Sequence, residues 1–382
     1  MDMDMESIRS VRIEGFRSLK SVNLELRPFN VLIGANGSGK SNFIEFFRML
    51  NQAVGSTQGN LQLYVARKGG ASSVLYYGPR VSRSLDAELV VASADLWSSY
   101  EFSLSWGAPD ELRFAGERIR TDTGHQLHEA RLGSGSLESR LLTDVPDPSE
   151  PWRGPAVQTF RRRLKHLRAY HFPDTGDDAA IRLTQDRTRE ERLLSNGGNL
   201  AVLLSNLQQN RPEHYRRILN AVQIIVPFVR DFVLEPQVSD SRFVMLRWMD
   251  QSGEVFGPHQ LSDGSLRAIA LVTALLQPEE TMPSVLFFDG PELGLHPTAV
   301  GLVADLLKEA SRRRQVIVAT QSPLLIRSYE PEDIVVVERS PDAADRQQSE
   351  FRRLDHPALE AWLEDFDLGE LYEKNVTGGF PR

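Results

Sequence analysis

Residues 34–41, GANGSGKS, have the types and spacing that bind the phosphates of a nucleotide. The pattern is a glycine, four residues, a glycine, a lysine and a serine. Its glycines let consecutive backbone N–H groups converge on phosphate oxygens, Lys40 reaches the β and γ phosphates, and Ser41 offers a hydroxyl to Mg²⁺. The sequence therefore predicts binding of ATP or GTP together with Mg²⁺. The expected nucleotide contacts are Gly34, Asn36, Gly37, Ser38, Gly39, Lys40, Ser41 and Asn42.

Residues 287–297, FFDGPELGLHP, supply the acidic side chains of such a site. A phosphate loop is accompanied by an aspartate at the end of a neighbouring strand, which holds Mg²⁺ through water. Asp289 ends an apolar run and has this position. A second acid beside it would indicate a magnesium-dependent hydrolase, but the next residue is Gly290, and Glu292 is the only nearby acid. The candidate catalytic positions are Asp289, Gly290 and Glu292, and the candidate metal ligands are Ser41 and Asp289.

The elements around these residues predict an α/β fold. Residues 30–33 form a short apolar strand pattern before the glycine-rich loop, and residues 41–50 carry apolar side chains at helical spacing after it. Alternating segments in the first hundred residues predict an antiparallel β edge, in which we include residues 73–78. In the last third, strand and helix patterns alternate, which predicts a parallel sheet covered on both faces.

Changes in composition predict four segments. Clusters of Gly, Ser, Pro and Asp precede helical patterns in residues 121–236, which predicts an inserted, mainly helical subdomain. Residues 1–120 and 237–340 are then the N-terminal and C-terminal parts of the nucleotide-binding head. Residues 341–382 are expected to form an acidic tail, a strand followed by one helix, that packs on the head.

The charge and composition exclude several classes of function. A net charge of −8 argues against a protein that coats nucleic acid with its whole surface, although the basic runs at residues 161–168 and 312–314 leave a local contact open. The chain has no cysteine, which excludes thiolate zinc sites and thiol nucleophiles. No window has the length of apolar residues that spans a membrane, so we expect a cytoplasmic protein.

Four motifs in the same order resemble the ABC-type ATPases of the RecF, OLD and structural-maintenance-of-chromosomes (SMC) kind. The resemblance is greatest to stand-alone bacterial AAA-family ATPases related to RecF. It implies an ABC-type ATPase head with a mixed parallel sheet, an antiparallel β edge and an inserted helical subdomain. The motifs are GFRSL with VLIGANGSGKSN, LSDGSLR (residues 261–267), LFFDGPELGLHP and VIVATQSP (residues 316–323).

The resemblance also implies how the motifs work together. In the family, the LSDGS signature caps the γ-phosphate held by a partner's phosphate loop, so two chains enclose two ATP molecules in a head-to-tail homodimer. This adds Ser262, Gly264 and Ser265 to the nucleotide contacts. Arg17 in GFRSL is a further candidate phosphate contact. Gln321 takes the place of a switch histidine; its amide can hydrogen-bond a phosphate but cannot take up a proton at neutral pH.

Gly290 departs from the family pattern, which has a water-orienting glutamate at this position. Such a residue is worth about two to four orders of magnitude in rate. Three explanations stay open: a substitution that traps the ATP-bound state, a chain that uses ATP binding as a structural switch, or replacement of the missing glutamate by Glu292. In the first two, ATP binding survives and hydrolysis is slow.

Relatives in this superfamily act in DNA repair or antiphage defence, often with a separately encoded effector. The first hypothesis is therefore an ATP-gated dimer, or a higher oligomer, that acts on DNA or in defence with such an effector, and DNA is a candidate partner. The alternative is a non-catalytic, ATP-dependent scaffold that holds a toxin or nuclease. A transport ATPase is disfavoured by the motif spellings.

Overall fold

The structure is a computed structural model that describes residues 7–55, 60–93, 96–122, 124, 126–143, 149–172, 175–188, 192–236, 240–354 and 356–379. The strands are β1 (Ser7–Phe16), β2 (Leu19–Glu25), β3 (Phe29–Ile33), β4 (Ser84–Ser93), β5 (Leu96–Gly107), β6 (Glu111–Asp122), β7 (Leu127–Gly133), β8 (Leu167–Tyr170), β9 (Gln185–Asp186), β10 (Asp231–Val233), β11 (Phe243–Val244), β12 (Arg247–Met249), β13 (Val255–Phe256), β14 (Val285–Asp289), β15 (Gln315–Thr320), β16 (Ile334–Pro341) and β17 (Gln347–Arg353).

The helices lie between and after these strands. They are α1 (Lys40–Gly55), α2 (Leu61–Arg67), α3 (Ala71–Val74), α4 (Arg153–Lys165), α5 (Leu200–Asn210), α6 (Pro212–Ile225), α7 (Asp263–Leu276), α8 (Pro297–Ser311), α9 (Pro323–Ile326), α10 (His356–Leu363) and α11 (Leu368–Glu373), with short 3-10 turns at Arg140–Leu142, Pro258–Gln260 and Pro331–Asp333. Within the described residues, no helix is long and apolar enough to cross a membrane.

Two six-stranded sheets form the framework. One is antiparallel, in the order β2-β1-β4-β5-β6-β7, and the other has the order β17-β16-β3-β15-β14-β8. In the second sheet β16, β3, β15, β14 and β8 are parallel, and β17 pairs antiparallel with β16 at one edge. The mixed α/β fold predicted from the sequence is confirmed.

The parallel sheet is buried on both faces, which explains its continuous apolar strands. In β14, Leu286 and Phe288 pack into one core cluster while Val285 and Phe287 pack into the other. This alternation follows from the two-residue repeat of a strand. The first cluster is covered by α5, α6, α7 and α8, and the second by α1, α4 and the antiparallel sheet.

Helix α1 connects the phosphate loop to the second core cluster. Phe43, Phe46, Phe47 and Leu50 are buried on it, and Phe47 packs on Phe287 of β14 with ring centroids 4.7 Å apart. Large buried side chains at helical spacing fix the rotation of α1 about its axis. The helix start, where the nucleotide residues lie, is therefore held rigidly against the sheet.

Residues 121–236 contain the helices α4, α5 and α6 but also contribute strands. Strand β8, residues 167–170, is the edge of the parallel sheet beside β14, and α6 packs on α7 in the first core cluster. The division of the chain into four segments stays a prediction.

Two local predictions are wrong. Residues 73–78 do not form a strand, because α3 ends at Val74 and only Leu75 makes an isolated bridge, to Phe16. The tail after β17 contains two helices instead of one. The second of them begins where the Asp367 carboxylate accepts a hydrogen bond from the backbone N–H of Glu370, a helix-start signal inside the apolar repeat.

Candidate nucleotide site

Three parallel strands end at the same edge of the sheet and bring the predicted residues together. Strand β3 ends at Ile33 before the phosphate loop, β15 ends at Thr320 before Gln321, and β14 ends at Asp289. Strand β15 lies between the other two and pairs with both. The phosphate loop, Gln321 and Asp289 therefore lie at one edge of the sheet, although they are far apart along the chain.

Gly34 and Gly39 are required by the backbone of the phosphate loop. Their φ angles are +149° and +119°, in the region that glycine favours. A Cβ on Gly34 would lie 2.1 Å from the Val337 carbonyl oxygen, and one on Gly39 would lie 2.1 Å from Ser349 Oγ. A Cβ on the exposed Gly37 would meet nothing within 4 Å, so the loop is open on that side.

Lys40 lies folded back over its own loop. Its Nζ donates hydrogen bonds to the carbonyl oxygens of Gly34 (2.5 Å) and Ala35 (2.9 Å). Burial lowers the pKa of Lys40 to about 8, an effect that the negative charges of Asp289 and Glu292 oppose. The ammonium thus lies near both acids, and carbonyl oxygens hold it where phosphate oxygens are expected.

Other loop residues contact neighbouring strands. The buried Ser38 Oγ has no hydrogen-bond partner, while the exposed Asn36 accepts a hydrogen bond from the side-chain amide of Gln321. Arg339 donates from Nε to the Gly37 carbonyl oxygen at 2.8 Å. Ser41, at the start of α1, is exposed. The predicted amide therefore contacts the loop, and Arg339 is a contact that the sequence motifs did not indicate.

Gly290 has a left-handed backbone, with φ at +63°. Its N–H donates to the carbonyl oxygen of Ala319 (2.8 Å), so the turn after β14 is tied to β15. A Cβ at this position would lie 2.6 Å from Leu293 Cδ1, so it would point towards Leu293. Gly290 and Leu293 also line a pocket of about 130 Å³ with Tyr170 and Arg267. The turn is adapted to glycine.

Glu292 lies inside the site. Its Oε1 accepts hydrogen bonds from Thr320 Oγ1 (2.7 Å) and from the backbone N–H of Gln321 (3.3 Å). Its Oε2 is buried and has no hydrogen-bond partner. Its charge also raises the pKa of Lys40 against the effect of burial. A carboxylate with one oxygen fixed and the other unpaired, close to the ammonium of Lys40, retains an oxygen that can accept a hydrogen bond or a proton.

Arg17 contacts the first turn of α1. Its Nη1 donates to Asn42 Oδ1 at 3.5 Å, and its Nε is buried without a hydrogen-bond partner. Asn42 in turn donates to Ser18 Oγ at 2.7 Å. Two predicted contacts, Arg17 and Asn42, are thus brought together, and Arg17 has an unusual φ of +47° for a residue with a side chain.

The signature residues form a helix start that faces solvent. Ser262 caps α7 by accepting a hydrogen bond from the Ser265 N–H at 3.1 Å, and the two hydroxyls lie 2.9 Å apart. Gly264 packs so closely on the loop after β14 that a Cβ would lie 2.1 Å from the Gly294 carbonyl oxygen. Ser262 is exposed, and its hydroxyl contacts Ser265 of α7 itself. This arrangement leaves the positive end of α7 accessible from outside.

Arg182 fixes the signature from behind, a role that the sequence did not reveal. Its buried guanidinium donates to the carbonyl oxygens of Thr175 (2.5 Å), Pro258 and Leu261 (3.2 Å), and to Asp263 Oδ1 (2.8 Å). The same ion pair holds the pKa of Asp263 below its usual range. Residue 182 lies about eighty positions before the signature, so no local pattern could have indicated it.

The comparisons with known proteins decide the family. Residues 29–327 match the family described as "AAA domain, putative AbiEii toxin, Type IV TA system". The chain belongs to this family. No curated protein matches it.

Solved structures show the same fold as this AAA-family chain. An SMC head bound to the C-winged helix domain of ScpA has a TM-score of 0.57 at 16% identity, covering 92% of this chain and 99% of that one. An SMC head with an extended coiled coil, bound to the C-terminal domain of ScpA derived from Pyrococcus furiosus, has a TM-score of 0.56 at 15% identity, covering 94% and 99%. The chain therefore has the fold of an SMC head.

Residues that follow α11 lie against the phosphate loop. The Gly379 N–H donates to Glu338 Oε1 at 3.0 Å, and a Cβ on Gly379 would lie 3.2 Å from the Gly34 Cα. The pKa of Tyr372 is raised by burial, although a hydrogen bond with the Gly34 backbone opposes this effect in part. Tyr372 and Gly379 thus pack against Gly34, the first glycine of the loop.

The residues present fit a bound Mg²⁺–ATP. The loop has glycine where the backbone must approach a ligand, and the buried Ser38 hydroxyl lacks a hydrogen-bond partner. Lys40 donates to backbone carbonyl oxygens, which phosphate oxygens could replace as its acceptors. In the part of the chain that the structure describes, no three His, Asp or Glu side chains form a metal cluster. One hydroxyl, Ser41, and one carboxylate, Asp289, suit Mg²⁺, which keeps waters and phosphate oxygens as its other ligands.

Proposed function

We propose that the chain binds Mg²⁺–ATP, closes as a head-to-tail dimer around it and hydrolyses it with Glu292 in place of the family glutamate absent at Gly290. The observation that carries this proposal is the Glu292 carboxylate, with Oε1 fixed by Thr320 and Oε2 buried and unpaired.

Glu292 fits the role of the proton acceptor. Mg²⁺–ATP supplies an electrophilic γ-phosphorus whose charge the metal and the loop stabilise. Glu292 Oε2 would take the proton from the attacking water, and the Thr320 hydroxyl and Gln321 N–H would keep the carboxylate in place. The Lys40 ammonium would leave the carbonyl oxygens of its loop and bond phosphate oxygens. Its hydrogen-bond acceptor would then be negatively charged instead of neutral, which makes the bond stronger.

The exposed signature supports the dimer. Ser262, Gly264 and Ser265 lie at the start of α7, where Ser262 is exposed. Arg182 holds this helix start through Asp263, and Gly264 packs on the Gly294 carbonyl oxygen. A rigid helix start that faces solvent is a ready anion site for a second molecule. In a head-to-tail pair it would receive the γ-phosphate held by the partner's loop.

Turnover by Glu292→Gln tests the hydrolytic role. We expect its ATP turnover to fall about 100-fold or more, with ATP affinity kept, because the amide cannot accept the proton. Glu309→Gln, an exposed acid on α8 paired with Arg312, is the matched control and should be unchanged. Equal turnover of Glu292→Gln and the unmodified chain would contradict the role of Glu292.

A mixing experiment tests the composite dimer site. Lys40→Met and Ser265→Asp chains should each be inactive, because the first lacks the phosphate ligand and the second places a carboxylate against the partner's phosphate. Their mixture should recover turnover, since a mixed pair contains one intact loop facing one intact signature. A mixture as inactive as its components would contradict the shared site.

For the cellular role, we propose an ATP-gated partner of a separate effector in DNA repair or antiphage defence. A second candidate is a non-catalytic scaffold that holds a toxin or nuclease while ATP is bound. The left-handed Gly290, which offers no side chain, favours this candidate, and the toxin named in the family description is consistent with it. Turnover stimulated by DNA supports the first role. A tight ATP-dependent complex without turnover supports the second.

A further inference from the structure

A basic groove lies at the amino edge of the parallel sheet, opposite to the nucleotide site. Two adjoining cavities of about 330 and 320 Å³ share Asn51, Gln52 and Ser195 in their walls. The groove is bordered by the far end of α1, by α2, by the junction of α4 with β8 and by the segment before α5. Four separate elements therefore contribute to one surface.

The charge of this groove is strongly positive. Its described walls hold one carboxylate, Glu45, whose oxygens already bond Tyr64 (3.0 Å), Arg48 (3.1 Å) and Lys68 (2.7 Å). The cationic side chains in the walls are Arg48, Arg67, Lys68, Lys165, Arg168 and Arg192. Six cations thus face one neutralised acid, in a chain whose net charge is −8.

His166 shows how this local charge acts on a neighbour. Burial, and after it the positive charges of Arg192, Lys165 and Arg168, lower the pKa of His166 to about 4. The neutral imidazole Nδ1 accepts a hydrogen bond from Arg192. These cations therefore disfavour a further positive charge at His166, in addition to the effect of burial.

Capping of helix α4 explains the position of one of these cations, Arg168, but not the positions of the others. Arg168 donates to the carbonyl oxygens of Lys165 (3.0 Å) and Leu167 (3.1 Å) at the end of α4, as a cation at a helix C-terminus does. Asn51 already satisfies the Leu164 carbonyl oxygen. Arg67 and Lys165, which project from two different helices, are exposed and are not needed for these bonds.

We propose that this groove binds the phosphodiester backbone of a nucleic acid. Cations distributed along an open groove suit a chain of phosphates, whereas a single phosphate group is bound by donors that converge on one point. The aromatic side chain in its wall, Tyr64, is buried and hydrogen-bonded to Glu45, so it is not offered for base stacking. The binding is therefore independent of sequence and sensitive to salt.

Helix α1 and strand β14 connect the groove to the nucleotide site. The part of α1 from Lys40 to Gln52 rises about 18 Å, at 1.5 Å per residue. Strand β14 pairs with β8 at the groove and ends at Asp289. An effect of nucleic acid on ATP turnover rests on the proposed function, but binding in the groove does not.

Binding is measured without nucleotide, by the anisotropy of labelled DNA, duplex and single-stranded, over a series of salt concentrations. The test variant is Arg67→Glu/Lys165→Glu, and the control is Arg216→Glu/Arg217→Glu, which makes the same charge change on exposed positions of α6. A milder Arg67→Gln/Lys165→Gln pair serves if the reversed charges disturb the ends of α2 and α4. Melting temperatures check that all variants are folded.

The groove variant should bind DNA at least about tenfold more weakly in low salt, and its salt slope should fall by about two, one for each lost phosphate contact. The Arg216/Arg217 control should bind as the unmodified chain does. No binding by the unmodified chain, or an equal loss in the groove and control variants, would overturn the proposal. Since no ATP is present, failure here is separate from failure of the hydrolytic role.

Discussion

Restoring the family residue at position 290 should not restore the family's chemistry. The left-handed φ of +63° places a new Cβ 2.6 Å from Leu293 Cδ1, so a side chain would leave Gly290 in the direction of Leu293. The conformation costs a residue with a side chain about 1–2 kcal/mol. Leu293 is 53% exposed and can move aside, so the contact adds little to that cost.

Gly290→Glu and Gly290→Ala should therefore lose about the same free energy of unfolding, about 1–2 kcal/mol, because both add the same Cβ at the same φ. Urea unfolding followed by tryptophan fluorescence measures this loss, and ATP turnover is measured on the same samples. Neither variant should exceed the turnover of the unmodified chain by more than about twofold. A rise of about 100-fold in Gly290→Glu, absent from Gly290→Ala, would refute this reasoning and identify Gly290 as the missing water-orienting position.

Three further outcomes follow from the site. Lys40→Met should abolish ATP binding in a titration. It should also remove a rise in the stability of the unmodified chain between pH 8 and pH 10.5, because burial lowers the pKa of Lys40 from 10.5 to about 8 and the unfolded chain binds the extra proton in this range; the same rise in both chains would contradict it. Arg182→Met should lower the free energy of unfolding by about 2–4 kcal/mol through unsatisfied buried carbonyls, and weaken ATP-dependent dimerisation in sedimentation, whereas unchanged dimerisation would remove its positioning role. Thr320→Val should lower kcat with little change in KM, because it releases Glu292 Oε1 without touching the phosphate loop; a change confined to KM would argue against this.

The sequence predicted the parts of this site that local patterns encode. Strand, glycine-rich loop and helix are consecutive, so the spacing around Lys40 was sufficient to place them. Asp289 followed from an apolar strand that ends in a carboxylate. The mixed α/β fold followed from the alternation of strands and helices in the last third of the chain.

The remaining contacts depend on long-range packing. Arg339 reaches the Gly37 carbonyl oxygen from 302 positions away, and Ser349 Oγ donates to the Ser38 carbonyl oxygen at 2.6 Å from a neighbouring strand. Neither residue has a neighbour in sequence that marks it. The left-handed turn at Gly290 is also a tertiary property, because the hydrogen bond from its N–H to β15 holds it. Replacement of the missing glutamate by Glu292 was one of three explanations of Gly290. The hydrogen bonds of Glu292 with Thr320 and Gln321 favour this explanation.

The most direct test of the central claim is single-turnover hydrolysis of ATP by Glu292→Gln, with the protein in saturating excess over ATP, beside the unmodified chain and Lys40→Met. The account predicts that Glu292→Gln binds ATP with unchanged affinity and hydrolyses it about 100-fold or more slowly than the unmodified chain. The same rate in both, or no turnover by the unmodified chain above the Lys40→Met background, would contradict the assignment of hydrolysis to Glu292.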